Sequence, residues 1–226
     1  HDPHLNHGYG PDDLAGKTAC REALLAELAL DASPRPLLGM VSRLVPQKGL
    51  DLLMPLLDRL AAGGYALVVL GTGEARYHDQ LAAAAARHPG RVAFVGSFSE
   101  ALAHRIYAGC DAFLMPSVFE PCGLSQLYAM RYGTPPVVRA TGGLADTVTD
   151  AAARDGTGFV FGAPTAEALW AALERVRAAF AAPERWRALQ RRGMMADHGW
   201  DAAAAAYERT YESVLAGAMA EERTRS

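Results

Sequence analysis

The sequence predicts a doubly wound α/β domain of Rossmann type, with a parallel sheet of about six strands. Short, wholly apolar segments such as ALVVL recur along the chain and are typical of strands buried on both faces of a sheet. Segments with apolar residues at helical spacing lie between them. Half of the 226 residues are hydrophobic and 21% are charged, a balance that suits one globular domain with a large core.

The elements follow in a regular order. Residues 1–13 are rich in Pro, Gly and Asn, and we interpret them as a linker segment before a single domain at 14–226. A first helix is expected from Leu14 to about Leu28, and residues 31–36 form a connector. The apolar runs predict strands at 37–42, 66–70, 91–95, 112–115, 135–139 and 158–161. Helices are predicted at 48–62, before Arg87, at 100–109, after FEPCG, at 141–148, at 165–180, at 184–197 and at 201–216.

Charge and composition exclude several classes of protein. The net charge of −3 favours neither a nucleic-acid partner nor an anionic membrane. No apolar run approaches the roughly 20 residues of a membrane span. Cys20, Cys110 and Cys122 are odd in number and match no zinc spacing, so we interpret them as reduced thiols in a cytoplasmic protein.

Three histidines at the start of the chain, His1, His4 and His7, raise the alternative of a metal site. They lie in a segment without periodic structure, and we favour a loose terminal segment over a metal site.

The loops after the strands are the places to look for chemistry, because ligands bind such sheets outside the carboxyl ends of the strands. The loop SRLVPQKG carries Arg43 at the end of the first strand and Lys48 at the start of the next helix. A lysine is mildly unfavourable at a helix N-terminus, and an anion between the two cations would reverse that penalty. Two solvated surface cations are the alternative.

The next two loops carry weaker signals. GTGE, at 71–74, lacks the third glycine of a dinucleotide fingerprint, so we favour a turn or a pocket wall over a nicotinamide site. Phe98, in the loop GSFSE, is either a core residue or a platform on which a base stacks.

The loop FEPCGLS places an acid directly before a helix start. Gly123 allows close approach of a ligand, and the backbone amides at 123–125 would face an anion. Glu120 would repel the same anion, so it either faces a neutral, hydroxyl-rich group such as a sugar or caps the helix. We attribute Cys122 to packing, since no feature of the sequence argues for a reactive thiol.

The loop ATGGLAD provides a second helix start at the same edge of the sheet. Thr141 and the two glycines after it either add further amides to the site or form a helix cap.

Three segments of this chain closely resemble the carboxyl-terminal half of bacterial glycogen synthases and plant starch synthases, which are retaining glucosyltransferases of the GT-B fold. The segments are SRLVPQKGLDLL, FEPCGLSQLYAMRYGTPPVVRATGGLADTV and GTGFVF, and the match extends from about Tyr9 to the last helix. The combination of SRL-x-x-QKG with FEPCGL is specific, whereas GTG alone is not. The resemblance implies transfer of glucose from ADP-glucose to the non-reducing end of an α-1,4-glucan.

The resemblance also implies a role for each matched residue. Arg43 and Lys48 would hold the donor diphosphate, and Glu120 would lie against the transferred glucose; these three are the predicted catalytic residues. Phenylalanine stands at 98 where the family often has a tyrosine that stacks on adenine, and the ribose is held without the glutamate that some relatives have at position 128. The predicted substrate-binding residues are Phe98, Cys122, Gly123, Leu124, Ser125, Tyr128 and Thr141.

GT-B enzymes have two Rossmann-like domains, and the sequence accounts for one of them. We therefore expect the last helix, at about 201–216, to cross to an absent amino-terminal domain that also seats the glucan, and this chain alone to lack transfer activity. No cofactor or metal is expected, because no DxD motif occurs. The alternatives are a nucleotide-binding module without catalysis, or a GT-B transferase that uses UDP-glucose; a nicotinamide oxidoreductase is disfavoured by the missing fingerprint.

Overall fold

The computed structural model describes residues 2–32 and 35–225, with only the helical backbone described at 202, 203 and 217–225. Its centre is a parallel sheet of six strands in the order β3-β2-β1-β4-β5-β6. This order confirms the predicted doubly wound α/β fold class and places the topological switch point between β1 and β4. The strands are β1 Leu37–Val41, β2 Ala66–Leu70, β3 Val92–Val95, β4 Ala112–Met115, β5 Pro136–Arg139 and β6 Phe159–Phe161.

Helices connect the strands and continue after the last one. They are α1 Ala15–Glu27, α2 Leu50–Leu53, α3 Leu57–Ala62, α4 Ala75–Arg87, α5 Glu100–Gly109, α6 Ser125–Arg131, α7 Gly142–Thr147, α8 Ala166–Phe180, α9 Pro183–Met195 and α10 Trp200–Arg225. The single helix predicted at 48–62 is wrong. A 3₁₀ turn at Pro46–Lys48 precedes α2, and a second 3₁₀ turn at Met54–Leu56 separates α2 from α3. Pro55 explains the second break, because proline lacks the amide hydrogen that would continue an α-helix.

The core consists of two apolar layers, one on each face of the sheet. Strand β1 contributes to both, with Leu38 and Met40 in one layer and Leu37 in the other. Helices α2, α3, α4, α8 and α9 cover the first layer, and α1, α5, α6 and α7 cover the second. Burial on both faces explains why the strand sequences are apolar, apart from Arg139 at the end of β5.

The segment before α1, which we expected to be a loose linker, makes specific contacts. Tyr9 donates a hydrogen bond from its hydroxyl to the Tyr132 carbonyl oxygen at 3.0 Å. Tyr132 in turn donates from its hydroxyl to the Asp2 carboxylate. The described residues up to Met195 form one compact unit that includes this segment. Three residues of the sequence interpretation, His1 of the histidine group and Ser33 and Pro34 of the connector, lie outside the described residues.

The chain from Ala196 onwards forms a second unit, built around α10. This helix is longer than the predicted 201–216. Among the side chains of α10 that are described, the large apolar ones are exposed, at Trp200, Tyr207, Tyr211, Val214 and Leu215. None of the described helices is long and apolar enough to cross a membrane.

Candidate functional site

The loops that follow β1 and β4 lie against each other at the switch point. Val118 donates its amide to the Gln47 carbonyl oxygen at 2.9 Å. The Gln47 side-chain amide donates to the Phe119 carbonyl oxygen at 3.1 Å. Gly49 has φ +75°, and a Cβ there would lie 2.0 Å from the Pro116 carbonyl oxygen. Only glycine allows this approach, which brings Lys48 next to the loop that carries Glu120.

Lys48 and Glu120 form an ion pair in this position. The distance from Lys48 Nζ to Glu120 Oε2 is 2.6 Å, and the Ser117 hydroxyl donates to the same oxygen at 3.1 Å. Glu120 is only 6% exposed. Within the part of the chain that the structure describes, no side chain forms a capping hydrogen bond at Leu124, the N-cap of α6, and the Glu120 carboxylate is bound by Lys48 and Ser117 instead. The structure therefore excludes the alternative that Glu120 caps α6.

The two predicted cations share a cavity with the start of α6. The cavity has a volume of about 230 Å³, and its lining includes Arg43, Lys48, Ser117 and Ser125. Pockets for drug-sized ligands measure about 300–1,000 Å³, so this cavity is sized for part of such a ligand rather than the whole. The sequence predicted that residues 43, 48 and 125 lie close together, and all three line this cavity. Their roles stay predictions.

The loop that carries Glu120 is also held from the side of β5. Arg139, at the end of β5, donates from Nε to the Ser117 carbonyl oxygen at 3.0 Å and from Nη2 to the Val118 carbonyl oxygen. The Gly143 amide donates to the carbonyl oxygens of Glu120 and Pro121, both at 3.2 Å. These contacts fix the backbone on which the Glu120 carboxylate is mounted.

The loop ATGGLAD thus serves the site mainly as a support. Thr141 is the N-cap of α7 but accepts no capping hydrogen bond from it among the described residues. A Cβ at Gly142, which has φ +42°, would lie 2.2 Å from the Glu120 carbonyl oxygen. The Gly143 amide already donates to the neighbouring loop, so the alternative of a second set of ligand-binding amides at 141–143 loses that donor.

Four of the remaining predicted binding residues, Phe98, Cys122, Leu124 and Tyr128, have exposed side chains. Phe98 is 83% exposed, which excludes a core role. It follows β3, two strands from β1, so the strand spacing puts its loop about 10 Å from the end of β1. Leu124 and Tyr128 are about half exposed, and the Cys122 thiol is exposed. Burial raises the pKa of Tyr107, and the nearby Ser125 hydroxyl offsets part of that rise.

Sequence reasoning missed several polar residues that hold the site loops. Gln126 donates from Nε2 to the carbonyl oxygens of Cys122 and Gly123, at 3.1 and 3.0 Å. Gln47, Ser117 and Arg139 have the supporting contacts described above. Gln47, Ser117 and Arg139 could have been found from their positions, because each lies in the loop after an apolar strand or at its last residue.

A second group of polar contacts lies at the opposite edge of the sheet. The Lys17 ammonium donates to the carbonyl oxygens of Ala108 and Cys110 and to Thr134 Oγ1, at 2.9, 3.1 and 2.7 Å. Burial lowers the pKa of Lys17 to about 8. A larger cavity of about 940 Å³ lies beside this lysine, where the lining includes Pro36 and Asp111 at the starts of β1 and β4. Ligands of doubly wound sheets bind at the other edge, so we place the candidate site at the smaller cavity.

Comparison with known proteins identifies the family of this chain. Residues 29–190 match the family model described as Glycosyl transferases group 1. The glycogen synthase of Anaeromyxobacter dehalogenans strain 2CP-1 is 50% identical over 219 residues, which are 96% of this chain and 46% of that protein. The glycogen synthase of Alkalilimnicola ehrlichii is 50% identical over 218 residues, with 94% and 45% covered.

A solved structure shows the same fold. The catalytic domain of starch synthase IV from Arabidopsis thaliana, bound to ADP and acarbose, superposes with a TM-score of 0.88 at 35% identity and covers 96% of this chain and 46% of that one. This chain spans about half the length of the curated relatives it matches. The resemblance to glycogen and starch synthases is confirmed. Because the family model covers more than half of its residues, this chain belongs to the group 1 glycosyl transferases.

Proposed function

We propose that this chain is the donor-binding domain of a glycogen synthase. The enzyme would transfer glucose from ADP-glucose to the non-reducing end of an α-1,4-glucan with retention, as a hexosyltransferase of the cytoplasm. The observation that carries the proposal is the shared cavity of Arg43, Lys48 and Ser125, with Glu120 paired to Lys48 at the switch point of the sheet. The 50% identity to glycogen synthases supports the choice of reaction.

The two cations would act on the leaving diphosphate. Negative charge grows on the diphosphate as the bond to glucose lengthens, and Arg43 and Lys48 would meet that charge where it develops. Interactions that are stronger in the transition state than in the ground state are the ones that accelerate a reaction. Each such contact contributes about 2–4 kcal/mol to transition-state stabilisation. The backbone amides at 123–125 would add to this effect.

Glu120 would bind and orient the sugar while it keeps its ion pair with Lys48. An ammonium has three donors, so Lys48 can donate to Glu120 Oε2 and to a phosphate oxygen at the same time. The other carboxylate oxygen is then the one that we assign to a glucose hydroxyl. Support from Ser117 keeps the carboxylate in place. A residue that faces the sugar hydroxyls is poorly placed for back-side attack, and we propose no covalent intermediate on Glu120.

Phe98 would supply the stacking surface for the base. Its ring is exposed, as such a surface requires, and its loop lies on the ligand-binding edge of the sheet. A ring of this kind stacks on adenine or uracil alike, so we assign ADP-glucose from the relatives: starch synthase IV of Arabidopsis thaliana binds ADP. Cys122, Tyr128 and Thr141 would line the remainder of the donor site.

The acceptor glucan and a second domain are further parts of this proposal. The matched glycogen synthases are about twice as long as this chain. We propose that the glucan binds to a second, amino-terminal domain, and that the exposed apolar residues of α10 contact that domain. The second candidate function, a nucleotide-binding module without catalysis, applies to this chain alone in that case.

Calorimetric titration with ADP and ADP-glucose tests the donor site. Arg43→Ala and Lys48→Ala should each weaken ADP binding about 10- to 100-fold, because each removes a charge-assisted contact. Arg87→Ala, which changes an exposed arginine on α4, is the matched control and should bind as the wild type does. Unchanged affinity in both site variants would refute the diphosphate assignment.

Transfer is tested in the full-length enzyme that carries this domain. Glu120→Ala should abolish glucan elongation while it leaves ADP affinity within a few-fold of wild type. Loss of ADP binding in this variant would contradict the assignment of Glu120 to the sugar. Elongation by the present chain without a second domain would contradict the two-domain proposal.

A further inference from the structure

Three potential metal ligands, His4, Glu100 and His104, meet where the segment before α1 lies against α5. One ligating nitrogen or oxygen of each residue lies within 4.8 Å of those of the other two. Glu100 and His104 are four residues apart on α5, a spacing that places both on one helix face. His4 comes from the amino-terminal segment, and its ring centroid lies 4.8 Å from that of His104.

A second observation, the contact between His104 and the Asp2 carboxylate, supports a role of His104 as a metal ligand. Its Nδ1 lies 2.8 Å from Asp2 Oδ2. The same Nδ1 also lies 2.8 Å from the Tyr132 hydroxyl, which donates a hydrogen bond to Asp2. A carboxylate accepts hydrogen bonds, so we assign the hydrogen of the His104 ring to Nδ1 and its lone pair to Nε2. Metal-binding histidines have this arrangement, with a carboxylate that fixes the ring.

We propose that His4, Glu100 and His104 bind a divalent transition-metal ion, with Zn²⁺ as the preferred ion, and that the metal fastens the amino-terminal segment to α5. Two imidazoles and one carboxylate form a ligand set that suits Zn²⁺, with water in the fourth position. Mg²⁺ and Ca²⁺ prefer oxygen ligands and are disfavoured.

The present spacing requires a small adjustment. Ligand atoms around a tetrahedral Zn²⁺ lie about 3.4 Å apart when the bonds are about 2.0–2.1 Å long. The atoms here are within 4.8 Å, so the side chains must close by at most about 1.4 Å. Glu100 is exposed and His4 is half-buried, and a change of rotamer supplies that movement.

This cluster differs from the group of His1, His4 and His7 that the sequence raised as an alternative metal site. Of the three histidines first considered, His4 is in the cluster, and its partners come from α5 rather than from the same segment. The cluster shares no residue with the lining of the cavity at Arg43. The inference is therefore independent of the proposed glucosyl transfer.

Zinc titration of the chelator-treated chain tests the site. Titration calorimetry should show one Zn²⁺ bound per chain. Zn²⁺ should also raise the melting temperature of the chain, and Mg²⁺ should not. His4→Ala and Glu100→Gln should each weaken Zn²⁺ binding at least about 10-fold. His7→Ala, an exposed histidine of the same segment outside the cluster, is the matched control and should bind Zn²⁺ as the wild type does.

Melting temperatures of the metal-free variants check that each one folds. Zinc binding that is absent in the wild type would overturn the proposal, as would unchanged affinity in His4→Ala. An equal loss in His7→Ala would mean diffuse binding by surface histidines and would overturn it as well. Anomalous diffraction at the zinc edge, with a peak between the three side chains, is the direct positive result.

Discussion

Replacement of Lys48 by methionine should destabilise the domain, because it leaves the Glu120 carboxylate buried without its lysine partner. Removal of one partner from a fully buried ion pair costs about 3–5 kcal/mol. The Lys48 side chain is 20% exposed and that of Glu120 is 8% exposed, so water reaches part of this pair. We therefore expect a loss of about 2 kcal/mol in the free energy of unfolding.

Substitution of the partner residue, Glu120→Gln, should lower the free energy of unfolding by less, about 1 kcal/mol. In this variant Lys48 can turn its ammonium towards water, and glutamine still accepts a hydrogen bond from Ser117. The double variant should then lose about 1 kcal/mol less than the sum of the two single losses. Urea unfolding of the four proteins at pH 7.5 measures this cycle, with Arg87→Met as a control that should unfold like the wild type. Additive losses, within about 0.5 kcal/mol, would refute the coupling that we infer from the 2.6 Å contact.

Three further predictions concern other positions. Phe98→Ala should weaken ADP binding about 10-fold in calorimetry without a change in melting temperature, because the ring is 83% exposed; unchanged affinity would contradict the stacking role. Gly49→Ala should lower the free energy of unfolding by about 2 kcal/mol or more in urea, since φ is +75° and a Cβ would lie 2.0 Å from the Pro116 carbonyl oxygen; wild-type stability would refute this. Between pH 7 and pH 9.5, the free energy of unfolding of the wild type should rise by about 2 kcal/mol relative to that of Lys17→Met, because the unfolded lysine still holds a proton that the native one, with its pKa lowered to about 8, releases; a constant difference would contradict that pKa.

The six strands could be predicted closely from the sequence because parallel strands buried on both faces are short and wholly apolar. Strands β2 and β4 have the predicted bounds, and the other four differ by one residue at one end. The prediction of one helix at 48–62 failed because the apolar spacing continues through Pro55, where a 3₁₀ turn interrupts the α-helix. Local spacing reports which residues are buried and does not report such a break.

The candidate site was predictable in part. Arg43, Lys48 and Glu120 could be singled out because they follow apolar strands, and parallel strands end at a common edge. The ion pair between Lys48 and Glu120 joins residues 72 positions apart and could not be predicted. Nor could the support from Arg139, because it depends on β5 being the neighbour of β4.

The sequence by itself determined the fold class, the positions of the strands and the loops that carry charged and glycine residues. These features depend on the period of burial and on backbone preferences within short segments, which neighbouring residues encode directly. Only the tertiary structure decided the strand order, the partner of Lys48 and the contact of residues 2–9 with α5 and Tyr132. Such contacts join segments far apart in the chain, and they depend on how whole elements pack in three dimensions, which no local pattern records.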